Sequence, residues 1–537
     1  MCAALALLGP AAACAQSPAA VAGDSLAAAL QTRIVRSIVL EPHDVFDPAP
    51  SGRLHGAYEL VNALHIRTRP GTLRTAVVLQ DGKLWTRAAA DETMRKLRAL
   101  GYLLPEPLQY ATVGADSVDV RVVTHDNWTT SPELNLESAG GQKYGAFSFT
   151  ERNLLGLGTS VSLSYRQDPA GISRLASVTD NALFGSHARA SVTAGNGASG
   201  DDRGVELLQP FWSEAATHSA GGHWNRSHAD IQLFAFGRKA ADFRRRTEET
   251  ELLWGTGHRT ADGLVQRLAL TFVAIDREFA PSVLQPGAPT PFAGGTESLR
   301  IRRVAGEMRL WHPRYLVRRG VEQIDRDEDF DVGPQFGFKV GFAPQAFGST
   351  RNEGYARLRL DLGADRGHAG FGILRASAET RLVDGFRESL GELHARWVQQ
   401  PCRNGSLVFG AVMVAGDRMP RDFQLTLGGL TGLRAFPVRE LSGTEVWRLN
   451  GEFRYAALRE YLHLVSFGAA AFWDAGRAWG PGAEDEPWHH DAGLGLRLSL
   501  PHSTVNTVAR FDIAWPVAPS IDGHHDPVFS FGSGQSF

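Results

Sequence analysis

The sequence has few cysteines and no long apolar run. Only Cys2, Cys14 and Cys402 occur in 537 residues, and their spacing matches no CxxC zinc or redox pair. No stretch reaches the roughly 18 uninterrupted apolar residues that a membrane-spanning helix needs. If this chain spans a membrane, it must do so as a closed β-barrel, because hydrocarbon cannot hydrogen-bond an open sheet edge.

An excess of basic charge is also absent. The chain has 55 Lys and Arg against 58 Asp and Glu, a formal net charge of −3, whereas a dedicated nucleic-acid binder is normally basic. The catalytic signatures GxSxG and HExxH and the phosphate-binding GK followed by Ser or Thr do not occur. The sequence therefore predicts no nucleic-acid partner, no cofactor and no enzymatic activity.

The first residues, MCAALALLGPAAACAQS, predict an export signal. Leu5 to Leu8 is apolar, and Ala13-Cys14-Ala15 fits an A-x-A cleavage site. We predict a signal peptide at residues 1–15 and a linker at 16–32. A lipid anchor on Cys14 fits less well, because Ala11 stands where such signals carry leucine.

Residues 33–126 predict a small α+β domain. In TRAAADETMRKLRALGY, apolar residues at spacings of four, three and three share one helical face, Thr86 can cap the start and Gly101 follows the end. The predicted elements are a strand at Ile34–Pro42, a helix within Gly52–His65, a helix that begins after Thr86, and strands at Leu108–Val113 and Ser117–Thr124. A three-stranded sheet with helices on one face accounts for this order.

From residue 127 to residue 537 the periodicity changes to two. In GLGLRLSL, for example, Leu494, Leu496 and Leu498 lie on one face while Arg497 lies on the other. Many such segments, separated by Gly, Asn and Asp, are typical of outer-membrane barrels, although a soluble β-sandwich protein also alternates. We predict a mainly β fold in which a transmembrane antiparallel barrel follows the α+β domain. Alternation alone gives more than sixteen strands, because Ser219 to Leu316 contains ambiguous hairpins.

Near the end of the barrel region, GGLTGLRAFPV places one arginine in a glycine-rich, apolar segment. Parity in EVWRLNGEFRY and SFGAAAFWDAGRAW puts Glu452 and Asp474 opposite the aromatic face, inside the barrel. A buried guanidinium needs carboxylate partners, so we predict that the segment folds inward and that Arg434 reaches both. A solvated loop arginine is the alternative. The loop glycines, which supply the backbone freedom, are Gly428, Gly429 and Gly432.

These motifs resemble the BamA/TamA-type outer-membrane protein assembly superfamily, also called the bacterial surface antigen family. The likeness is carried by GGLTGLRAF, NGEFRY, AFWDAGRAW and the aromatic final strand PVFSFGSGQSF, with ERNLLGLG (Glu151 to Gly158) similar to a family turn. It implies a barrel of about 16 strands at 127–537, an inward loop at 428–444, and a periplasmic POTRA-like domain at 33–126.

The resemblance also implies roles for single residues. Arg434 and Phe436 match the arginine and aromatic residue of the family's inward loop, and Glu452 and Asp474 match the acids that hold it. Ala435 departs from the pattern, because the family usually has glycine there. Phe529, Phe531 and the terminal Phe537 match a barrel sorting signal.

The implied function is to assist insertion, assembly or translocation of polypeptides at the bacterial outer membrane. A dedicated translocator of one secreted partner and a passive pore remain alternatives. The translocator is an alternative because the superfamily includes the two-partner-secretion transporters. Expected partners are the outer-membrane lipid bilayer and unfolded or secreted polypeptide clients, with periplasmic chaperones or lipoproteins as further candidates.

Two other motifs carry weaker signals. HHD occurs twice, and His489, His490, His524 and His525 are weak candidate metal ligands. Family topology places both motifs in extracellular loops, so no metal site is predicted. DRDEDFD, Asp325 to Asp331, alternates acids like a calcium loop, but Phe330 occupies the glycine position, and we predict a solvated loop.

Overall fold

The computed structural model describes residues 29–139, 142–168, 171–197, 200–367, 370–480, 487–504, 508–517, 523 and 525–533. The predicted signal peptide and most of the linker lie outside these ranges. The chain is mainly β, with 62% strand and 9% helix. None of the described helices is long and apolar enough to cross a membrane.

Residues 34–126 form an α+β unit, here called the N-terminal unit. Strand β4 lies at its centre, parallel to β1 and antiparallel to β2 and β3. The elements, in chain order, are β1 (Ile34–His43), α1 (His55–Leu64), α2 (Pro70–Ala76), α3 (Arg87–Ala99), β2 (Leu103–Pro105), β3 (Gln109–Val113) and β4 (Ser117–Asp126). A buried core that includes Leu73, Leu97 and Val120 joins the helices to the sheet.

Helix α3 begins where the sequence predicts. The Thr86 side chain accepts a hydrogen bond from the Ala89 N–H at 3.2 Å, which satisfies one of the unpaired donors of the first turn. Helix α2 was not predicted, although Pro70 at its first turn is a recognised start signal. The short strand β2 was not predicted either.

The remaining residues form a closed antiparallel barrel of about 20 strands. Its first half comprises β5 (Thr130–Ala139), β6 (Gln142–Leu154), β7 (Thr159–Asp168), β8 (Gly171–Asp180), β9 (Arg189–Gly197), β10 (Gly200–Gln209), β11 (His218–Ala235), β12 (Arg238–Arg259), β13 (Val265–Phe279), β14 (Val283–Leu284) and β15 (Glu297–Trp311). The two-residue strand β14 pairs beside β12.

Its second half comprises β18 (Gln335–Ala343), β19 (Glu353–Asp365), β20 (Gly370–Leu382), β21 (Phe386–Cys402), β22 (Gly405–Asp417), β25 (Glu445–Tyr461), β26 (Val465–Trp479), β27 (His489–Ser499), β28 (Ala509–Pro516) and β29 (Val528–Ser533). Short hairpins outside the wall are β16 (Tyr315–Arg319) with β17 (Asp327–Asp331) and β23 (Leu425–Leu427) with β24 (Leu441–Gly443). The 3-10 helices described are Leu183–Gly185, Thr290–Phe292, Gln345–Phe347 and Gly429–Thr431.

The implied number of about 16 strands is therefore wrong. The ambiguous hairpins between residues 219 and 316 are wall strands, because β11, β12, β13 and β15 pair consecutively along most of their length. Strands β11 and β12 have 18 and 22 residues. A membrane-spanning strand needs about 9–11, so these two are longer than a bilayer crossing requires.

Alternation along the strands separates the two faces of the wall as predicted. On β27, Leu496 is 66% exposed on the outside while its neighbour Arg497 is 2% exposed on the inside. Apolar side chains thus cover the outside of the wall and charged ones face the lumen, as in outer-membrane barrels.

Candidate functional site in the barrel lumen

The segment 428–444, here called the inward loop, enters the lumen from the end opposite the N-terminal unit. Its base is held by the pairing of β23 with β24. Gly428 has φ +124°, and a Cβ atom there would lie 1.9 Å from the carbonyl oxygen of Pro437. No other residue fits this position, since the contact is with backbone and the conformation is left-handed. Gly429 and Gly432 also have positive φ, at 56° and 127°.

Arg434 is the most deeply buried charge of the inward loop. Its Nε and Nη2 donate to both carboxylate oxygens of Asp474 at 2.7 and 3.0 Å, and its Nη1 donates to Glu452 at 2.9 Å and to Asp512 at 3.3 Å. All four side chains are at most 1% exposed. The guanidinium also lies 3.3 Å from the centre of the Phe472 ring, a cation–π arrangement.

Further charges complete this group, here called the lumenal cluster. Arg497 bridges Asp512 at 2.6 Å and Glu452 at 3.2 Å, while Arg454 and Arg510 each contact one of these acids. The cluster comprises the cations Arg434, Arg454, Arg497 and Arg510 and the acids Glu452, Asp474, Asp491 and Asp512. Glu452, Asp474 and Asp512 each have an arginine partner, as a buried network requires, because an unpaired charge there costs far more than a paired one.

The apolar half of the inward loop is equally buried. Phe436 is fully enclosed and meets the His489 ring edge-on, with centroids 5.3 Å apart. Ala435 has no positive φ among the described backbone angles, so the departure from glycine causes no strain. Its N–H donates to Asp491 at 3.1 Å.

The structure thus brings Arg434, Phe436, Glu452 and Asp474 together, and it adds Asp491 and Asp512, which the sequence reasoning missed. The sequence did contain a signal for Asp512. In ARFDIAW, the residues Phe511, Ile513 and Trp515 alternate with it, so the parity that located Glu452 applies here too.

The prediction that His489-His490-Asp491 lies in an extracellular loop is wrong, because these residues begin strand β27. Their alternation is what directs Asp491 into the lumen. His525 is exposed, and His524 lies outside the described residues. A different group, His223 with Glu249 and Glu251, has ligand atoms within 4.8 Å of one another, but Lys339 already balances Glu251 at 3.6 Å.

A second segment fills the lumen from the end that carries the N-terminal unit. Residues 315–331, here called the lumenal hairpin, comprise β16, β17 and the turn between them. Val321 is 1% exposed and belongs to a core with Val398 and Val408, which face inward from the wall. The Ser406 hydroxyl donates to the Gly320 carbonyl at 2.8 Å. The prediction of a solvated loop at 325–331 is therefore wrong, because charge composition alone does not reveal a cavity that encloses it.

Glu328 closes the turn of this hairpin. Its carboxylate accepts the backbone N–H of Val321 at 3.0 Å and of Glu322 at 3.1 Å. Burial raises the pKa of Glu328 to about 7, and the nearby charge of Glu322 raises it further, while these N–H groups act in the opposite direction.

Arg454 joins the two lumenal segments. Its Nη1 donates to the Val321 carbonyl of the lumenal hairpin at 2.7 Å, while its Nε donates to Glu452 at 3.0 Å. Glu452 in turn holds Arg434 of the inward loop. One continuous polar path therefore links the segments that enter from opposite ends.

The lumenal hairpin is also tied to the N-terminal unit. Arg98 of α3 makes a two-pronged contact with Asp329, with both distances 2.7 Å. Arg326 donates to the Gly101 carbonyl at 2.8 Å and to the Ser503 carbonyl at 3.2 Å. Between α3, the hairpin and the barrel mouth lies a cavity of about 1450 Å³ with side chains of both charges on its walls.

The barrel closes between its last and first strands, β29 and β5. Among the described residues, this seam pairs in register at one position, Ser530 with Glu137, whereas β28 with β29 pairs at six and β5 with β6 at ten. On β29, Phe529 is 69% exposed and Phe531 lies 4.7 Å from Phe511. Phe537, the remaining residue of the predicted sorting signal, lies outside the described residues.

The inward loop, the lumenal cluster and the final strands all lie within one recognisable sequence domain. Residues 398–537 match the model of the Omp85 superfamily domain. This match confirms, for residues 398–537, the resemblance drawn from the sequence.

Solved structures similar to the chain include BamA from Haemophilus ducreyi lacking POTRA domains 1–3, at 13% identity and a TM-score of 0.41, which covers 94% of this chain and 84% of that one. CdiB from Acinetobacter baumannii has 11% identity, a TM-score of 0.47 and coverages of 94% and 74%. CdiB from Escherichia coli has 13% identity, a TM-score of 0.47 and coverages of 94% and 76%. Comparison with curated protein sequences finds no match.

Proposed function

We propose that this protein inserts polypeptides into the outer membrane at the seam between β29 and β5, without enzymatic activity. The observation that carries the proposal is the difference in strand pairing. In the described residues the seam has one register pair, and the adjoining strand pairs have six and ten. A strand edge with few partners is the natural place for a client strand to pair.

Because segments of the chain fill the lumen, insertion at the seam is favoured over passage through a central pore. The inward loop and the lumenal hairpin enter from opposite ends and meet at Glu452 and Arg454. Passage through the centre would require both segments to leave buried positions. Opening the seam would require neither segment to leave the lumen.

The N-terminal unit is suited to receive the client. We propose that residues 33–126 are a POTRA-like domain in the periplasm, as the resemblance implies. Strand β1 forms one edge of its sheet, and an extended client could add to such an edge through backbone hydrogen bonds. The cavity of about 1450 Å³ beside α3 leads from this unit to the barrel mouth.

The second candidate function is dedicated translocation of one secreted partner. An ion pair between the N-terminal unit and the lumenal hairpin favours it. The ion pair of Arg98 with Asp329 connects the N-terminal unit directly to the lumenal hairpin. A client that displaced Arg98 would release the hairpin from one of its anchors and so begin to open the lumen.

A reversible crosslink tests whether the client is inserted through the seam or passes through the lumen. Cysteines at Glu137 and Ser530, in a background with the native cysteines changed to serine, should form a disulfide across the seam. If insertion uses the seam, oxidation abolishes activity and a reductant restores it. The matched control joins Ser162 to Ser177, which are paired between β7 and β8, and should have no effect. Unchanged activity in the oxidised seam variant would contradict the proposal.

Deletion of the gene, followed by quantification of the outer-membrane and secreted proteomes, separates the candidate functions. Loss of several unrelated barrels supports insertion. Loss of one secreted protein supports the dedicated translocator. No change in either fraction supports a passive barrel.

A further inference from the structure

Helix α1 has two apolar faces, of which only one is covered. On the covered face, Tyr58 is 4% exposed and donates its hydroxyl to the Leu462 carbonyl at 2.7 Å. This bond fixes α1 beside the turn between β25 and β26. On the other face, Leu60 and Leu64 are 59% and 65% exposed, and Ile66 beyond the helix is 52% exposed.

The polar residues of α1 have partners within the N-terminal unit. His55 and Glu59 form a pair at 3.2 Å, and the Asn62 amide hydrogen-bonds with the backbone of Phe46. Exposed leucines one helical turn apart are uncommon on a surface that meets only water. Beside the outer wall of a membrane barrel, such a face can bury its leucines at the boundary between headgroups and acyl chains.

A groove of about 580 Å³ runs between α1 and the outside of the barrel. Val61 of α1 and Phe46 line one side of it, and Leu134, Leu500 and Phe531 line the other. Leu134 belongs to β5, Leu500 directly follows β27 and Phe531 belongs to β29, so the groove crosses the seam. Leu134 and Leu500 are 50% and 42% exposed, on the face that contacts the bilayer.

We propose that α1 is a membrane-surface helix and that the groove beside it holds a phospholipid acyl chain from the leaflet on the side of the N-terminal unit. The groove opens onto the outer face of the barrel, where Leu134 and Leu500 are exposed, so hydrocarbon is the first apolar medium that reaches it. The proposal requires that the barrel spans a membrane and does not depend on what the protein transports.

The neighbouring side chains fit this position in the bilayer. Tyr461 and Leu462, at the turn to which Tyr58 is bonded, are 53% and 50% exposed. Trp128 lines the groove at the level where the N-terminal unit meets the barrel. Trp and Tyr are enriched at membrane interfaces because their rings combine apolar and polar parts.

Depth-dependent fluorescence quenching tests the helix. In full-length protein with Cys2, Cys14 and Cys402 changed to serine, single Leu60→Cys and Leu64→Cys variants would carry a fluorescent label. Each would be placed in vesicles of phosphatidylethanolamine and phosphatidylglycerol. Lipids with a nitroxide on the acyl chain should quench most of the emission, and aqueous iodide should have little effect. The control Asp81→Cys, exposed in the turn before α3, should show the reverse.

Two results would overturn the proposal for the helix. Quenching of both leucine positions by iodide would mean that water covers the face. Shielding from both quenchers would mean that protein, such as a second copy of this chain, covers it. Because both positions are exposed, these substitutions should leave the fold unchanged, which a heat-modifiable gel shift would verify.

The groove is tested by the emission of Trp128. Quenching by lipids with brominated acyl chains is measured in the wild type and in Trp128→Phe, and the difference gives the contribution of Trp128 alone. Loss of most of that contribution is expected. If brominated lipids leave it unchanged, no acyl chain enters the groove.

Discussion

At Arg434, one guanidinium contacts three carboxylates that the barrel wall buries. Arg434 is the member of the lumenal cluster that the inward loop contributes. The other members lie on strands of the barrel wall. The position of Arg434 therefore matters more than that of the other arginines, because Arg454, Arg497 and Arg510 lie on the strands whatever the loop does.

The first prediction concerns Arg434→Ala. The variant should lose about 3–5 kcal/mol of unfolding free energy, since removing one member of a buried ion pair leaves uncompensated charge. The barrel should still fold and reach the membrane, because its strand ladders do not involve Arg434, but function should be impaired. Thermal unfolding, heat-modifiable mobility and the outer-membrane proteome are the measurements.

The control for this prediction lies in the same loop. Arg439 stacks on Phe234 and belongs to none of the lumenal cluster's ion pairs among the described residues. Arg439→Ala should have a much smaller effect. Wild-type behaviour of Arg434→Ala in every assay would show that the loop does not need its anchor.

The second prediction concerns Glu328, whose pKa is about 7 in the docked hairpin against an ordinary value of 4.5. A raised acid pKa means that the docked state binds the proton more tightly than the released state. Docking should therefore be strongest below pH about 4.5, weaken as the pH rises, and reach its minimum above about 7.

Hydrogen exchange at the Val321 and Glu322 amides, corrected for the intrinsic pH dependence of exchange, measures this effect. Glu328→Gln retains an acceptor for those N–H groups without the titration, so its protection should not vary over that range. The same pH dependence in both proteins would assign it to another group, such as Glu322, which pairs with Arg396.

The lumenal hairpin is the element that connects the parts of this molecule. It contacts the wall through Val321, the lumenal cluster through Arg454, and α3 through Arg98. The hairpin is therefore held by the wall, the lumenal cluster and α3. If each contact contributes only a modest free energy of docking, the loss of one contact can release the hairpin.

The third prediction tests the anchor to α3. Arg98→Ala or Asp329→Ala should each weaken docking by about 1–3 kcal/mol, as expected for a charged two-pronged hydrogen bond, and the double variant should cost no more than the larger single effect. Hydrogen exchange across residues 315–331 measures the docking. Arg87→Ala, on the same helix at a side chain that is 55% exposed, is the control. Additive effects in the double variant would mean that the two side chains act independently.

On the scale of the whole molecule, a barrel of about 20 strands encloses a lumen that two segments fill. A barrel with more strands is wider, because diameter rises with strand number. The lumen of so wide a barrel is too large for the inward loop to fill alone. The lumenal hairpin occupies part of the remaining space.

The fourth prediction follows from this filling. Replacing residues 315–331 by a short Gly-Ser linker should raise single-channel conductance in planar bilayers, since the inward loop alone leaves part of the lumen empty. Replacing residues 183–186, a turn at the same end where Phe184 is 97% exposed, should leave conductance unchanged. Equal conductance of both variants and wild type would show that the hairpin does not limit the opening.

The sequence by itself determined the two-part order, the alternation of the wall and the approach of Arg434 to Glu452 and Asp474. Each depends on local information. A period of two fixes which face a strand residue occupies. An arginine in an apolar, glycine-rich segment needs carboxylate partners when it is buried, and the wall strands that follow it carry inward-facing acids. The start of α3 at Thr86 was equally local.

Only the tertiary structure decided the strand number, the burial of residues 315–331 and the participation of Asp491 and Asp512. Whether a hairpin joins the wall depends on which strands find partners, and whether an acidic turn is solvated depends on the cavity around it. The same holds for α1, whose leucines resemble core residues in sequence. Exposure is a property of the assembled surface, so no periodicity within one helix can reveal it.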